Sequence, residues 1–245
     1  MTGLAQGGTV ARQPVQARAR ARYEAIFKAA AELFAEQGFA GTSVDQILER
    51  AGASRGSFYN LWKDKDELAY SVVKESLIMD SITPATPRLQ SVVDASILLA
   101  VLTPHVTVIK AANRLATEQG KAFFGYLWRT YTPLITELMT QARDLGELQP
   151  GVDPGDWAAL WIDAWVGLDL RFRETYDDLP AAVHRLNQQM VHAVATAETL
   201  ASLQISTGRG HELIHNSSHA ASYFASVQAQ WKDKHRSTPT SAATG

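Results

Sequence analysis

The sequence predicts an all-α protein, and three observations carry that prediction. Its apolar residues recur at steps of three and four, and from Arg88 onward no stretch shows the strict alternation of a half-buried strand. Gly and Pro separate the periodic stretches. Capping residues (Ser43, Ser54, Asp64) stand where three of the stretches begin.

In chain order, residues 1–17 are expected to form a flexible arm, either a solvated tail or one whose arginines reach along a polyanion. The first helix is predicted from about Arg18 to Gln37, with Ile26, Ala30, Leu33 and Phe34 on its apolar face. Ser43 with Gln46 three residues on is a capping box. It opens a helix whose Val44, Ile47 and Leu48 form one stripe and which stops at Ala51-Gly52. Ser54 caps a short helix that is expected to turn Phe58, Leu61 and Trp62 inward and Arg55, Ser57 and Tyr59 outward. Asp64 with Glu67 is read as a second capping box, opening a helix expected to end near Ser81, before Pro84 and Pro87. Further helices are predicted over about 88–102, 105–118, 122–145, 155–177, 180–205 and 211–234, with the last ten residues disordered. The organisation expected is an arm at 1–17, a helix-turn-helix domain at 18–66, a helical body at 67–205 and an extension at 206–245.

Composition bounds the function. A formal charge of −2 over 245 residues excludes a general polyelectrolyte binder, so any nucleic-acid contact must be local. With no Cys there are no disulfides and no thiolate metal sites. The segment up to Pro14 has no apolar core of the kind a signal peptide needs. The most apolar window, 89–109, is interrupted by Asp94, Pro104 and His105 and is no membrane span.

Two short helices joined by a tight turn, the second with an outward Arg and Tyr, have the geometry of a major-groove reader. The run Gly41-Thr42-Ser43, Ile47, Ala51-Gly52, Ser54-Arg55-Gly56-Ser57-Phe58-Tyr59 and Lys65-Asp66-Glu67-Leu68 resembles the DNA-binding domain of TetR-family repressors, from about Tyr23 to Tyr70. It departs from that family at Leu61-Trp62, where His-Phe is usual. The resemblance implies a homodimer on a pseudo-palindromic double-stranded operator, a small-molecule effector, a cytoplasmic location, and neither membrane nor cofactor. Carried onto this sequence, Arg55, Ser57 and Tyr59 would meet bases or backbone, while Thr42 and Lys65 would hold phosphates.

The body has a narrower resemblance. Asn113 to Gln119, Trp128 within an aromatic helix, and Gln141 to Leu148 with Val152-Asp153 look like the γ-butyrolactone receptors of actinomycetes. There, a Trp in this helix meets the lactone, which implies the same for Trp128; related pseudo-receptors bind antibiotics or butenolide and furan signals instead. Without the family, Phe124, Leu127, Trp128, Tyr131, Ile135 and Leu138 form one broad stripe. Such a stripe is core by default. The polar tips of Trp128 and Tyr131, and Pro133 as a source of a bend, point to a pocket, with Phe124 beside it. Trp157, Trp161 and Trp165 form another stripe, paired with a helix carrying Val191 and Val194; they either complete the core or, as the family implies, make a four-helix dimer interface.

The reading is a ligand-responsive repressor released by a small lipophilic signal. The first alternative is a TetR-like repressor sensing a drug. The second, from another class, is a zinc hydrolase, because His211-Glu212-Leu213-Ile214-His215 is a literal H-E-x-x-H, with His219 continuing its row. That chemistry needs a third ligand and a walled cleft, for which little chain remains, so no metal site is assigned and an ordinary His-rich helix is expected.

Overall fold

The computed structural model describes residues 12–77, 84–118, 120–206 and 208–216, the side chains of 12–16 and 216 excepted. The first eleven residues of the expected arm, the end of the helix expected to reach Ser81, and everything beyond Asn216, His219 included, lie outside the described residues. Every regular element among the described residues is helical; the only strand-like pairing there is an isolated bridge between Leu148 and Ala195. The all-α prediction holds.

The chain forms two compact units. One comprises residues up to Ser76 together with 110–126, the other 77–109 together with 127–245. In the first, α1 (Arg12–Gly41) starts several residues earlier than the periodicity predicts and breaks at Gly38, where φ is +74°. A side chain there would be strained by that backbone, and its Cβ would stand 2.5 Å from Glu118 Oε1. Helices α2 (Val44–Ala51), α3 (Arg55–Tyr59) and α4 (Lys65–Glu75) follow. Ser43 and Gln46 make the reciprocal capping box, and Gly52 closes α2 in the left-handed conformation with φ of 60°. Ser54 and Asp64 cap α3 and α4 through their side chains. Glu67 does not complete a second box, since its carboxylate accepts the Lys63 N–H instead, at 2.6 Å. The core of this unit is built on Ile26, Phe34, Ile47, Phe58, Leu68 and Val72, all fully buried.

The segment 110–126 completes the unit from a distant part of the sequence. Arg114 donates to the carbonyls of Ala35 and Glu36, at 3.2 and 2.9 Å, on the last turn before the Gly38 break. Glu118 accepts the Phe39 N–H on its far side. Phe39 packs on Phe123 with ring centroids 5.3 Å apart, and the ammonium groups of Lys65 and Lys121 lie 3.9 and 4.2 Å from its ring centre.

The second unit contains α5 (Leu89–Leu102), the start of α6 (Thr107–Ala116), α7 (Tyr126–Asp144) from Leu127 on, α8 (Pro154–Phe172), α9 (Leu179–Val194), α10 (Ala197–Ser202) and α11 (Arg209–Asn216). The single helix expected over 180–205 is two. Ala195 leaves helical geometry and bridges Leu148, Thr196 donates its N–H to Glu147 O, and its side chain caps α10. Helix α7 runs on through Pro133 without interruption.

Polar anchors hold the ends of this unit. The Glu147 carboxylate accepts the Arg88 and Leu89 N–H groups at 2.7 and 2.8 Å, at the start of α5. Arg209 clasps Asp94 with two hydrogen bonds, at 3.0 and 2.7 Å, and also donates to Gln204 and Glu212. Gln90 ties both Asp94 and the Gln204 backbone. Beside this network Gly210 lies against α5, where an added Cβ would meet Val101 Cγ2 at 2.6 Å.

Candidate DNA interface and ligand slot

Of the five residues expected to meet DNA, the structure leaves two fully outward. Tyr59 is 55% exposed, its ring edge-on to the buried Phe58. Arg55 is exposed too, but its Nη2 donates to both carboxylate oxygens of Asp45, at 2.7 and 2.8 Å. Sequence reasoning missed Asp45, because nothing in a helix-turn-helix pattern says which α2 residue the α3 arginine will face. Ser57 is half-buried, its hydroxyl 3.0 Å from that of Ser54.

The two flanking residues point inward. Thr42 is buried, and its hydroxyl donates to Gly38 O at 2.7 Å. Lys65 donates to the carbonyls of Phe39 and Thr42, at 2.8 and 2.6 Å. Burial, and then the positive charge of Lys121, lower its pKa. Both residues therefore brace the loop around the Gly38 break, where phosphate contact was expected from the motif.

The departure at Leu61-Trp62 is accommodated by packing. Trp62 is buried, stacks on Tyr23 with centroids 5.0 Å apart, and donates its indole N–H to Ser71 Oγ at 3.2 Å. Leu61, expected inward, is exposed, because α3 ends at Tyr59 and the following turn swings the side chain out.

The second unit holds a narrow slot with a cavity volume of about 60 Å³. Helix α5 contributes Val92, Ala95, Ser96 and Leu99, α7 contributes Trp128, Tyr131 and Ile135, and α8 contributes Trp161, Ile162 and Trp165. No lining residue carries a formal charge. Trp128 and Tyr131 thus meet at one cavity, as their spacing suggested. Phe124 does not line it; it precedes the start of α7 and belongs to the other unit. The α5 wall was not legible, since small and apolar residues on a buried helix carry no signal of a gap.

The tryptophan stripe of α8 faces the chain's own interior. Trp161 and Trp165 are 3% and 5% exposed and line the slot, and Trp157 packs half-buried on the same core. Val191 and Val194, expected with them at a dimer interface, are fully buried. The physical reason is that the stripe meets α5 and α9 of its own chain.

Behind the slot, Asn187 of α9 accepts two hydrogen bonds on Oδ1, from Trp161 Nε1 and Ser96 Oγ, each at 3.0 Å. The Trp165 indole nitrogen is buried without any acceptor among the described residues. Asp94, the one acid in the apolar α5, is turned away into the Arg209 clasp.

On α11, His211 and His215 are exposed, and Glu212 pairs with Arg209 at 3.1 Å. Among the described residues no group of three or more His, Asp or Glu is gathered as a metal would require. No single described helix is long and apolar enough to cross a membrane.

Residues 26–72 match the family profile described as bacterial regulatory proteins, tetR family. The A-factor receptor protein of Streptomyces griseus is 26% identical over 157 residues, 63% of this chain and 56% of that protein. The chain thus spans little more than half the length of that relative. Full-length native TylP, a TetR regulator of Streptomyces fradiae, superposes with a TM-score of 0.70 at 24% identity, over 82% of this chain and all of that one. An ArpA-like γ-butyrolactone receptor superposes with a TM-score of 0.67 at 19% identity, over 80% of this chain and 98% of that one. At these identities the two structures speak to the fold.

Proposed function

For this chain, a TetR-family regulator by its helix-turn-helix and its fold, we propose the role of a cytoplasmic, ligand-responsive repressor that binds operator DNA as a homodimer and is released by a neutral lipophilic signal. The observation that carries the ligand class is the slot, whose ten lining residues are apolar, aromatic or hydroxyl-bearing and none of them charged. The similarity to the A-factor receptor supports a γ-butyrolactone or a related butenolide or furan as the signal. A cationic drug is the effector this slot fits least, because Asp94 is already neutralised by Arg209.

In this reading Tyr59 and Arg55 address the DNA, Arg55 once it leaves Asp45, and their exposure supports those roles. Two half-sites about 34–36 Å apart call for two copies of the reader. With the tryptophans turned inward, the outward side of α8, where Leu160 and Leu170 are 51% and 50% exposed, is an apolar surface open to a second copy.

The test is selection of a binding sequence from random duplexes, followed by titration of the complex with an acyl-γ-butyrolactone. Release at micromolar lactone, with no release by a lipophilic cation of equal size, is the expected result. Release by the cation alone would remove the lactone reading and leave the DNA-binding one.

A further inference from the structure

Three indoles border the slot, and they differ in what their N–H groups meet. Trp161 Nε1 is satisfied by Asn187 Oδ1, an oxygen that also takes the Ser96 hydroxyl. Trp128 is only half-buried, so water reaches its side chain. Trp165 is different. Its side chain is 5% exposed, it lines the slot, and its nitrogen has neither an acceptor nor solvent. Buried indole N–H groups are normally paired, and a specific exception calls for an explanation.

Two further features narrow that explanation. Asn187 Nδ2 is likewise buried without a partner, and the amide cannot simply be turned over, because its oxygen must face the Trp161 N–H. Trp165 Nε1 and Asn187 Nδ2 are both donors. With no charged lining, they select for an uncharged molecule that brings a hydrogen-bond acceptor.

Resting on the reading of the slot as the effector site, we infer that the ligand is anchored by a carbonyl oxygen on Trp165 Nε1, and that Trp128 serves as an apolar wall. The acceptor completes a donor that the folded chain leaves unpaired, and the alkyl part fills the space between α5 and α7. An apolar slot discriminates poorly between chain lengths, whereas a buried donor discriminates strongly against ligands that leave it unmet. The carbonyl, more than the tail, then decides which molecules are recognised.

The experiment follows the indole N–H resonances of the full-length wild-type protein labelled with ¹⁵N-tryptophan, titrated with γ-decalactone, each resonance being assigned by a single Trp→Phe variant. At saturation the Trp165 indole proton is expected to move downfield, while that of Trp161 stays nearly where it was. Trp165→Phe is expected to weaken lactone binding roughly 10- to 100-fold, and Trp128→Phe by no more than a few-fold. A downfield shift at Trp128 with none at Trp165 overturns the anchor and leaves the slot as the effector site. The absence of any shift at Trp128, Trp161 and Trp165 overturns the slot reading itself, and the anchor with it. Because the wild-type spectrum carries the decisive signal, a Trp165→Phe protein that folds poorly does not rescue the inference.

Discussion

Asp45 holds Arg55: one guanidinium nitrogen of the α3 arginine donates to both carboxylate oxygens of the α2 aspartate, across the turn of the helix-turn-helix. Both side chains are about two-thirds exposed, at 66% and 68%, so the pair is screened and worth on the order of 0–1 kcal/mol. A phosphate or a guanine edge is strong enough to take the arginine away. Until then Asp45 both occupies the cation and presents a negative charge on the same surface.

Asp45→Ala is therefore expected to tighten binding to random duplexes and to steepen the salt dependence by about one unit of log–log slope. Fluorescence anisotropy over a salt series reads both. A loss of affinity confined to the selected operator would mean instead that Asp45 holds Arg55 in its reading posture.

Lys65→Ala is expected to act on stability rather than on phosphate contact. The lysine donates to two backbone carbonyls, and losing charge-assisted bonds of this kind costs about 1–3 kcal/mol. Thermal melting should show the loss, while the salt slope of DNA binding stays as in wild type. A slope reduced by one unit with unchanged melting would return Lys65 to the phosphates.

Asp64 makes a pH-dependent contribution. Its carboxylate accepts the Glu67 N–H at 2.8 Å at the start of α4, and that bond, foremost, holds its pKa below the usual carboxylate range. A depressed folded-state pKa stabilises above the unfolded value, about 4, and the contribution is lost as pH falls through the lower folded value. Asp64→Ala is expected to cost about 0.5–2 kcal/mol near neutral pH. Denaturation curves at descending pH should show the difference shrinking only below about pH 4. A difference that persists undiminished in acid would mean the cap is not electrostatic.

Gly210→Ala is expected to loosen α11 from α5. Its new Cβ would stand 2.6 Å from Val101 Cγ2, and overpacking of this kind costs about 1–3 kcal/mol. Hydrogen exchange should rise in α11 and at the Asp94–Arg209 clasp. Unchanged protection would show that the contact yields without cost.

These positions show where the sequence is legible. Caps are local, so Ser43, Ser54 and Asp64 could be read directly and each caps the helix it was expected to cap. Direction is not local. A stripe of Trp157, Trp161 and Trp165 says that a face is buried, and only the packing of α5 and α9 says that its own chain buries it. Phe124 shares a period with Trp128, yet α7 begins at Tyr126, so the shared face never forms. Lys65 and Thr42 match a motif, but the carbonyls they meet are set by the break at Gly38. The slot needed a gap between three helices, which no single periodicity can announce.

The segment 110–126 bears on how this protein can be divided. Arg114, Glu118 and Lys121 close around the Gly38 break from more than seventy positions along the chain. A fragment ending at Ser76 would carry every helix of the reader and still leave Ala35, Glu36 and Phe39 without the groups that complete them. Hybrids that graft this reader onto another body would have to transplant two pieces of sequence, the second taken from the middle of the body. Recombination at the boundary near residue 76 would separate parts that function as one, which makes the reader heritable as a unit only together with its host.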